Sequence, residues 1–264
     1  MNKENTHKSK KTKVIAVTNQ KGGVGKTNIT FNLSGALAEK NKRILLIDLD
    51  QQGNLSSSFL ENIYNLKYTV ADLFLDNDID ISKVIQKTSF RNIDIVPSNI
   101  YLSKIDFQLA GEPDAQYFLA DKLKDLKEVY NYIIIDCPPG LGLATRIGLV
   151  AADEVIIPLE CQEWAVKGTA YLRDAITRIK KRANPKLKIM GYLINKFVGR
   201  RKLEEVYHET ILESFKDKVF KVELKNSVKY AEAATLKKPI TYYLPSSEQA
   251  EIYQKLAQEI INHG

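Results

Sequence analysis

Apolar residues in this chain fall into two alternating kinds of run. Short, nearly continuous stretches rich in Val, Ile and Leu lie at Val14–Thr18, Arg43–Leu49, Ile93–Val96, Tyr132–Ile135, Glu154–Pro158 and Lys188–Ile194. They are strand-length and lack polar alternation, as expected of parallel strands covered on both faces. Longer segments with apolar residues at helical spacing fall between or after them, notably over 28–40, 114–129, 164–181 and 248–261. This alternation predicts one α/β domain over residues 14–264, a doubly wound, mostly parallel sheet flanked by helices. Residues 1–13 are polar, lysine-rich and aperiodic, so they are expected to form a flexible basic arm. No internal repeat or long linker interrupts the series.

Composition changes this picture little, but charge changes it more. With 264 residues, 44% hydrophobic and 27% charged, the chain has ordinary globular composition and can bury a full core. No apolar run is long enough to cross a bilayer, and the two cysteines, Cys137 and Cys161, suit a reducing cytoplasmic setting. The net charge of +7 is unevenly distributed. From Ile176 to Lys202 there are ten Lys/Arg and no acid, so a basic segment sits on an otherwise acidic body. Such a segment suits a polyanion partner, and it equally suits a plain solvated face.

The sharpest chemical signal is Lys21-Gly22-Gly23-Val24-Gly25-Lys26-Thr27, placed between the first strand and the first helix. Glycines let the backbone curl so that successive N–H groups point at phosphate oxygens, and the helix start adds its positive end. Lys26 can reach the β/γ-phosphates of a nucleotide, Thr27 can offer its hydroxyl to Mg²⁺, and Asn28 continues the site. The loop departs from the usual P-loop pattern. Gln20 stands where its first glycine belongs, and Lys21 adds a second cation.

With that lysine the loop resembles the deviant Walker A motif of the ParA/MinD family of P-loop ATPases. Two further stretches fit the resemblance. Asp48-Leu49-Asp50-Gln51-Gln52-Gly53-Asn54 is similar to the family's D-x-D-P-Q-x-N segment, with Gln51 replacing the proline. Ile133-Ile134-Ile135-Asp136-Cys137-Pro138-Pro139-Gly140 is similar to its Walker B strand and second switch, with Gly140 where serine is common. The resemblance implies an ATPase using ATP and Mg²⁺. Lys21 would act in trans on the partner's ATP and Lys26 in cis. Asp50 would position water and order the metal's shell, supported by Asp48, and Asp136 would hold Mg²⁺ through water with Thr27. Asn195 and Pro245 match positions that border the adenine. The two aspartates of the Asp48–Asp50 pair, two apart at a strand end, are expected to share a face.

The resemblance leaves the partner to be argued separately. A short Soj-like segregation ATPase would form an ATP-bound homodimer, bind DNA without sequence preference and respond to a ParB-like partner. Candidate DNA-contacting residues are Arg200, Arg201, Lys202, Lys225 and Lys229, since phosphate contacts need Lys and Arg. A MinD-like membrane switch would need a basic-aromatic amphipathic tail, which Leu256–Gly264 does not supply. An iron–sulfur switch would need two interface cysteines, and Cys161 follows a different strand from Cys137. The expected setting is therefore cytoplasmic and nucleoid-associated, with no membrane partner.

Overall fold

The computed structural model describes residues 12–76, 78–126, 128–199 and 202–263. Seven strands form one sheet: β1 Lys13–Val17, β2 Ile44–Asp48, β3 Gln86–Lys87, β4 Ile93–Val96, β5 Tyr132–Asp136, β6 Glu154–Leu159 and β7 Lys188–Ile194. Their order is β3-β4-β2-β5-β1-β6-β7, and every pairing is parallel except that of the two-residue edge strand β3. The expected architecture is therefore present.

The continuous apolar runs arise because successive side chains enter opposite cores. In β1, Val14 and Ala16 join one cluster and Ile15 and Val17 the other. In β5, Ile133 and Ile135 separate from Tyr132 and Ile134 in the same way. The last helix, Glu248–Asn262, buries Tyr253, Leu256, Ala257 and Ile260 in the second cluster, together with Ile29, Leu33 and Leu37 of helix Lys26–Glu39. Its apolar face is consumed by the core. No helix among the described residues is long and apolar enough to cross a membrane.

Register then positions the chemistry. Val17 pairs with Asp136, and Asp48 pairs with Asp136 on the other side. The strand ends that carry both carboxylates thus flank the point where the glycine-rich loop leaves β1.

Three expectations need correction. The 114–129 pattern is not one helix but the short turns Ala115–Tyr117, Phe118–Lys122 and Lys124–Leu126. The 164–181 pattern divides into Ala165–Gly168 and Ala170–Arg182, where the Thr169 hydroxyl donates to the Val166 carbonyl. The expected basic arm of residues 1–13 is too long at its end, because Lys13 opens β1 and Thr12 is buried. Residues 1–11 of that arm lie outside the described residues.

Candidate functional site

The loop after β1 is braced from several sides. Asn19 donates its side-chain amide to the Pro158 carbonyl (2.7 Å) and accepts from Lys21 N–H (3.1 Å). Gly140 N–H donates to the Gln20 carbonyl (3.1 Å), so the second switch segment is tied directly to the loop. Asn195, buried just beyond β7, donates its amide to the Val24 carbonyl (2.8 Å). Gly25 caps helix Lys26–Glu39 with φ of 88°, in the left-handed region where a side chain is strained. A Cβ there would also overlap the Asn195 amide nitrogen. Loop curvature and close approach both demand glycine at this position.

Gly22, Gly23, Lys26, Thr27 and Asn28 line a cleft of about 630 Å³, closed on the other side by Asp50, Asn54, Pro139 and Thr235. Lys26 is only 6% exposed, and its ammonium donates to the Lys21 carbonyl (3.3 Å). Burial lowers its pKa, against the opposing pull of Asp136, Cys137 and Asp50. A buried ammonium with few fixed partners suits an incoming polyanion.

Thr27 Oγ1 donates to Asp136 Oδ2 (2.7 Å), while Asp136 Oδ1 is buried without a hydrogen-bond partner. Burial, reinforced by Asp48, holds the Asp136 carboxyl well above the usual carboxylate range, opposed by Thr27 and Lys26. A hydroxyl beside an unsatisfied buried carboxylate oxygen fits a hydrated Mg²⁺, which keeps several waters and takes one or two protein groups plus phosphate oxygens.

β2 ends at Asp48, so the strand alternation expected to set Asp48 and Asp50 on one face does not extend to Asp50. Asp48 is fully buried and accepts from Ser56 N–H (2.9 Å), Ser56 Oγ (2.7 Å) and Asp50 N–H (3.0 Å). Burial pushes its pKa up to about 6 despite these three donors. It holds the turn, and Asp50 lines the cleft. Ser56, which sequence reasoning missed, also accepts from Ser98 N–H (2.8 Å) and locks the turn to the chain beyond β4.

The loop's two lysines face different cavities. Lys26 lines the 630 Å³ cleft, whereas Lys21 lines a neighbouring groove of about 360 Å³ with Gln20, Glu160, Gln162 and Trp164. The Lys21 ammonium donates to Gln162 Oε1 and lies 3.9 Å from Glu160 Oε2, and its side chain is 57% exposed. Lys196 pairs with the same Glu160 (2.9 Å) and donates to the Gly23 carbonyl (2.5 Å). Glu160, Gln162 and Lys196 carried no sequence signal, since single polar residues after a strand are commonplace.

Other expected residues are more dispersed. The amide of Asn195 points beneath the loop, and Pro245 lies in an exposed turn that does not line the cleft. Lys202 and Lys229 are exposed, each opening a helix. Lys225 pairs with Glu248 (2.5 Å) and bridges in β fashion to Phe197. Arg200 and Arg201 lie outside the described residues. Cys137 and Cys161 are both free and buried, and burial pushes both thiols up, Cys161 to about 12.

The family model described as an AAA domain matches residues 12–189. The sporulation initiation inhibitor protein Soj of Bacillus subtilis is 38% identical over 96% of this chain and 99% of its own length. The chromosome partitioning protein ParA of Myxococcus xanthus is 36% identical over 94% of this chain and 88% of its own. Among solved structures, the cobyrinic acid a,c-diamide synthase of Mycobacterium smegmatis with bound ADP and magnesium has a TM-score of 0.83 at 29% identity, covering 96% of this chain and 95% of that one. A plasmid partition protein from Borrelia burgdorferi has a TM-score of 0.74 at 25% identity, covering 96% and 99%. With near-complete coverage by partitioning proteins, and a braced glycine loop ending in lysine and threonine beside two strand-end carboxylates, this chain belongs to the ParA/Soj family of partitioning ATPases.

Proposed function

We propose that the chain is an ATP- and Mg²⁺-dependent switch for DNA segregation, active as a homodimer that binds DNA without sequence preference. The observation that carries this reading is the divergence of the two loop lysines, since Lys21 points away from its own chain's cleft. An ammonium on a side chain that is 57% exposed, held by one amide and a distant carboxylate, is free to exchange those partners for phosphate oxygens of a facing subunit. Lys26 neutralises phosphate charge in cis, and Lys21 adds a trans cation comparable in role to an arginine finger.

Thr27 and Asp136 would hold the hydrated Mg²⁺. Bound there, the metal supplies charge neutralisation at the phosphates. Asp50, in the cleft wall, orients the attacking water, and Asp48 fixes the Asp50 turn through its N–H. Hydrolysis in the absence of a ParB-like partner is slow, because the trans contact and the switch segments must be ordered together. Pairing two subunits doubles the phosphate contacts of Lys202 and Lys229, so DNA affinity follows the nucleotide state. Lys225 joins them once its bond to Glu248 is exchanged. Such a protein works in the cytoplasm on the nucleoid.

A membrane-bound, MinD-like role is the second reading. The burial of the last helix against helix Lys26–Glu39 counts against it. The deciding experiment measures binding to random-sequence duplex DNA with ATP, ADP and no nucleotide over a range of salt. Tighter binding with ATP is expected, and equal binding in all three states would reject the switch.

A further inference from the structure

The basic segment does not form one surface. Part of it, Lys196 and Lys202, lies past the carboxyl end of β7, where the Lys196 ammonium donates to the Gly23 carbonyl of the loop (2.5 Å). The other part lies at the opposite end of the sheet. Helix Ala170–Arg182 ends in Arg178, Lys180, Lys181 and Arg182, and the turn into β7 adds Lys186 and Lys188. All six are exposed, and none takes part in an ion pair among the described residues. Cations in a final helical turn complement the helix dipole, which accounts for Lys180 to Arg182. It does not account for Lys186 and Lys188, which follow the helix.

The turn that carries these cations is rigidly held. Asn184 donates its side-chain amide to the carbonyls of Leu149 (3.3 Å), Val150 (3.0 Å) and Ala152 (2.6 Å), at the end of the neighbouring helix Leu143–Ala151. Its own N–H bonds Ile179 O (2.9 Å), Leu187 N–H bonds Asn184 O (3.1 Å), and Leu187 is fully buried. Lys186 and Lys188 also line a cavity of about 320 Å³ with Lys13, Asp153, Glu154 and His263. The acids there are already engaged. Glu154 pairs with Lys13 (3.1 Å) and lies 3.7 Å from His263, and Asp153 accepts from Val14 N–H (3.0 Å). Further acids at this end are Asp174, a turn earlier on the helix, and Asp217, beside the Lys218 whose ammonium donates to the Ile189 carbonyl (3.3 Å).

We infer that this turn, with the end of helix Ala170–Arg182, is a second phosphate-backbone contact surface for duplex DNA, working independently of nucleotide state. The inference rests on the proposed DNA partner but not on the switch. Independence follows from placement. Lys188 begins β7 seven residues before Asn195, about 23 Å from the loop at strand rise. Subunits meeting over the nucleotide cleft leave this end facing outward. Duplex DNA is favoured over an anionic membrane because no large hydrophobic side chain between Tyr171 and Val198 is exposed among the described residues. Interfacial membrane binding needs such apolar anchors, whereas phosphate contacts need only cations. Such a surface would keep the released, ADP-bound protein loosely near DNA.

The test is the triple variant Lys181→Gln/Lys186→Gln/Lys188→Gln, exposed positions whose change leaves the core untouched. Binding of fluorescent random-sequence duplex DNA is followed by anisotropy in ADP across salt concentrations. The wild type is expected to show weak, salt-sensitive binding. The variant is expected to bind more weakly, with a log–log salt slope shallower by about 0.9 for each phosphate no longer neutralised. The increment produced by ATP stays intact in the variant, which separates failure of this inference from failure of the switch. An unchanged affinity and slope, or no binding by the wild type in ADP at low salt, overturns the inference. Binding to phosphatidylserine vesicles without binding to DNA overturns it in favour of a membrane surface.

Discussion

Replacing Gly25 with alanine tests how the loop is built. At φ of 88°, an alanine takes on left-handed strain of about 1–2 kcal/mol. Its Cβ must also displace the Asn195 amide, which is buried and bonded at 2.8 Å to the Val24 carbonyl. Leaving those groups unpaired adds about 1–3 kcal/mol. Gly25→Ala should therefore cost roughly 2–5 kcal/mol in urea denaturation, a large share of ordinary domain stability. The two contributions can be separated. In an Asn195→Ala background the clash is gone, so Gly25→Ala should cost only the backbone strain, about 1–2 kcal/mol. Nucleotide affinity, measured by fluorescent-analogue titration, should fall with Gly25→Ala in both backgrounds because the loop's curvature changes. Equal cost of Gly25→Ala with and without Asn195 would refute the steric reasoning. A free substitution would refute the backbone argument as well.

Three further outcomes follow from the site. Asp50→Ala should lower ATP turnover by two or more orders of magnitude, on the order expected for loss of a water-positioning group, while ATP-dependent dimerisation persists in sedimentation. Normal turnover would remove Asp50 from catalysis. Asp48 has a folded pKa pushed up to about 6, above the unfolded value, so the native state keeps a proton that the unfolded chain releases. Its contribution therefore favours folding at low pH, declines as pH rises towards about 6, and is flat above. Asp48→Asn should remove that decline from the pH dependence of stability, and an unchanged profile would show that Asp48 does not titrate there. Lys229→Glu should weaken ATP-dependent DNA binding while sparing dimerisation, and unchanged binding would clear that residue.

The six parallel strands were legible because burial on both faces makes each a continuous Val/Ile/Leu run, and their carboxyl ends marked where chemistry would gather; the two-residue edge strand Gln86–Lys87, with no apolar residue, was not. The helix breaks at Leu123 and Thr169 were not. Over three residues a tight turn and an α-turn bury nearly the same positions, so Ala115, Leu119, Leu123 and Leu126 are all buried just as one continuous helix would bury them. The glycine-rich loop was readable because glycines at fixed spacing between strand and helix serve few other ends. Its braces were not, since Asn19, Ser56 and Glu160 act through contacts with residues distant in sequence or on other elements. The divergence of Lys21 from Lys26 is likewise invisible in a run of seven residues, because it depends on which cavity each side chain enters.

The proposed switch depends on Lys21 acting across subunits, and mixing two inactive variants tests this directly. Lys21→Ala lacks the trans ammonium but keeps a complete water-orienting site. Asp50→Ala lacks that site but keeps Lys21. In a mixed dimer the second subunit can supply Lys21 to the first subunit's nucleotide. Mixing the two proteins with ATP and Mg²⁺ should restore turnover that neither shows alone. A mixture as inactive as its components would contradict the trans assignment.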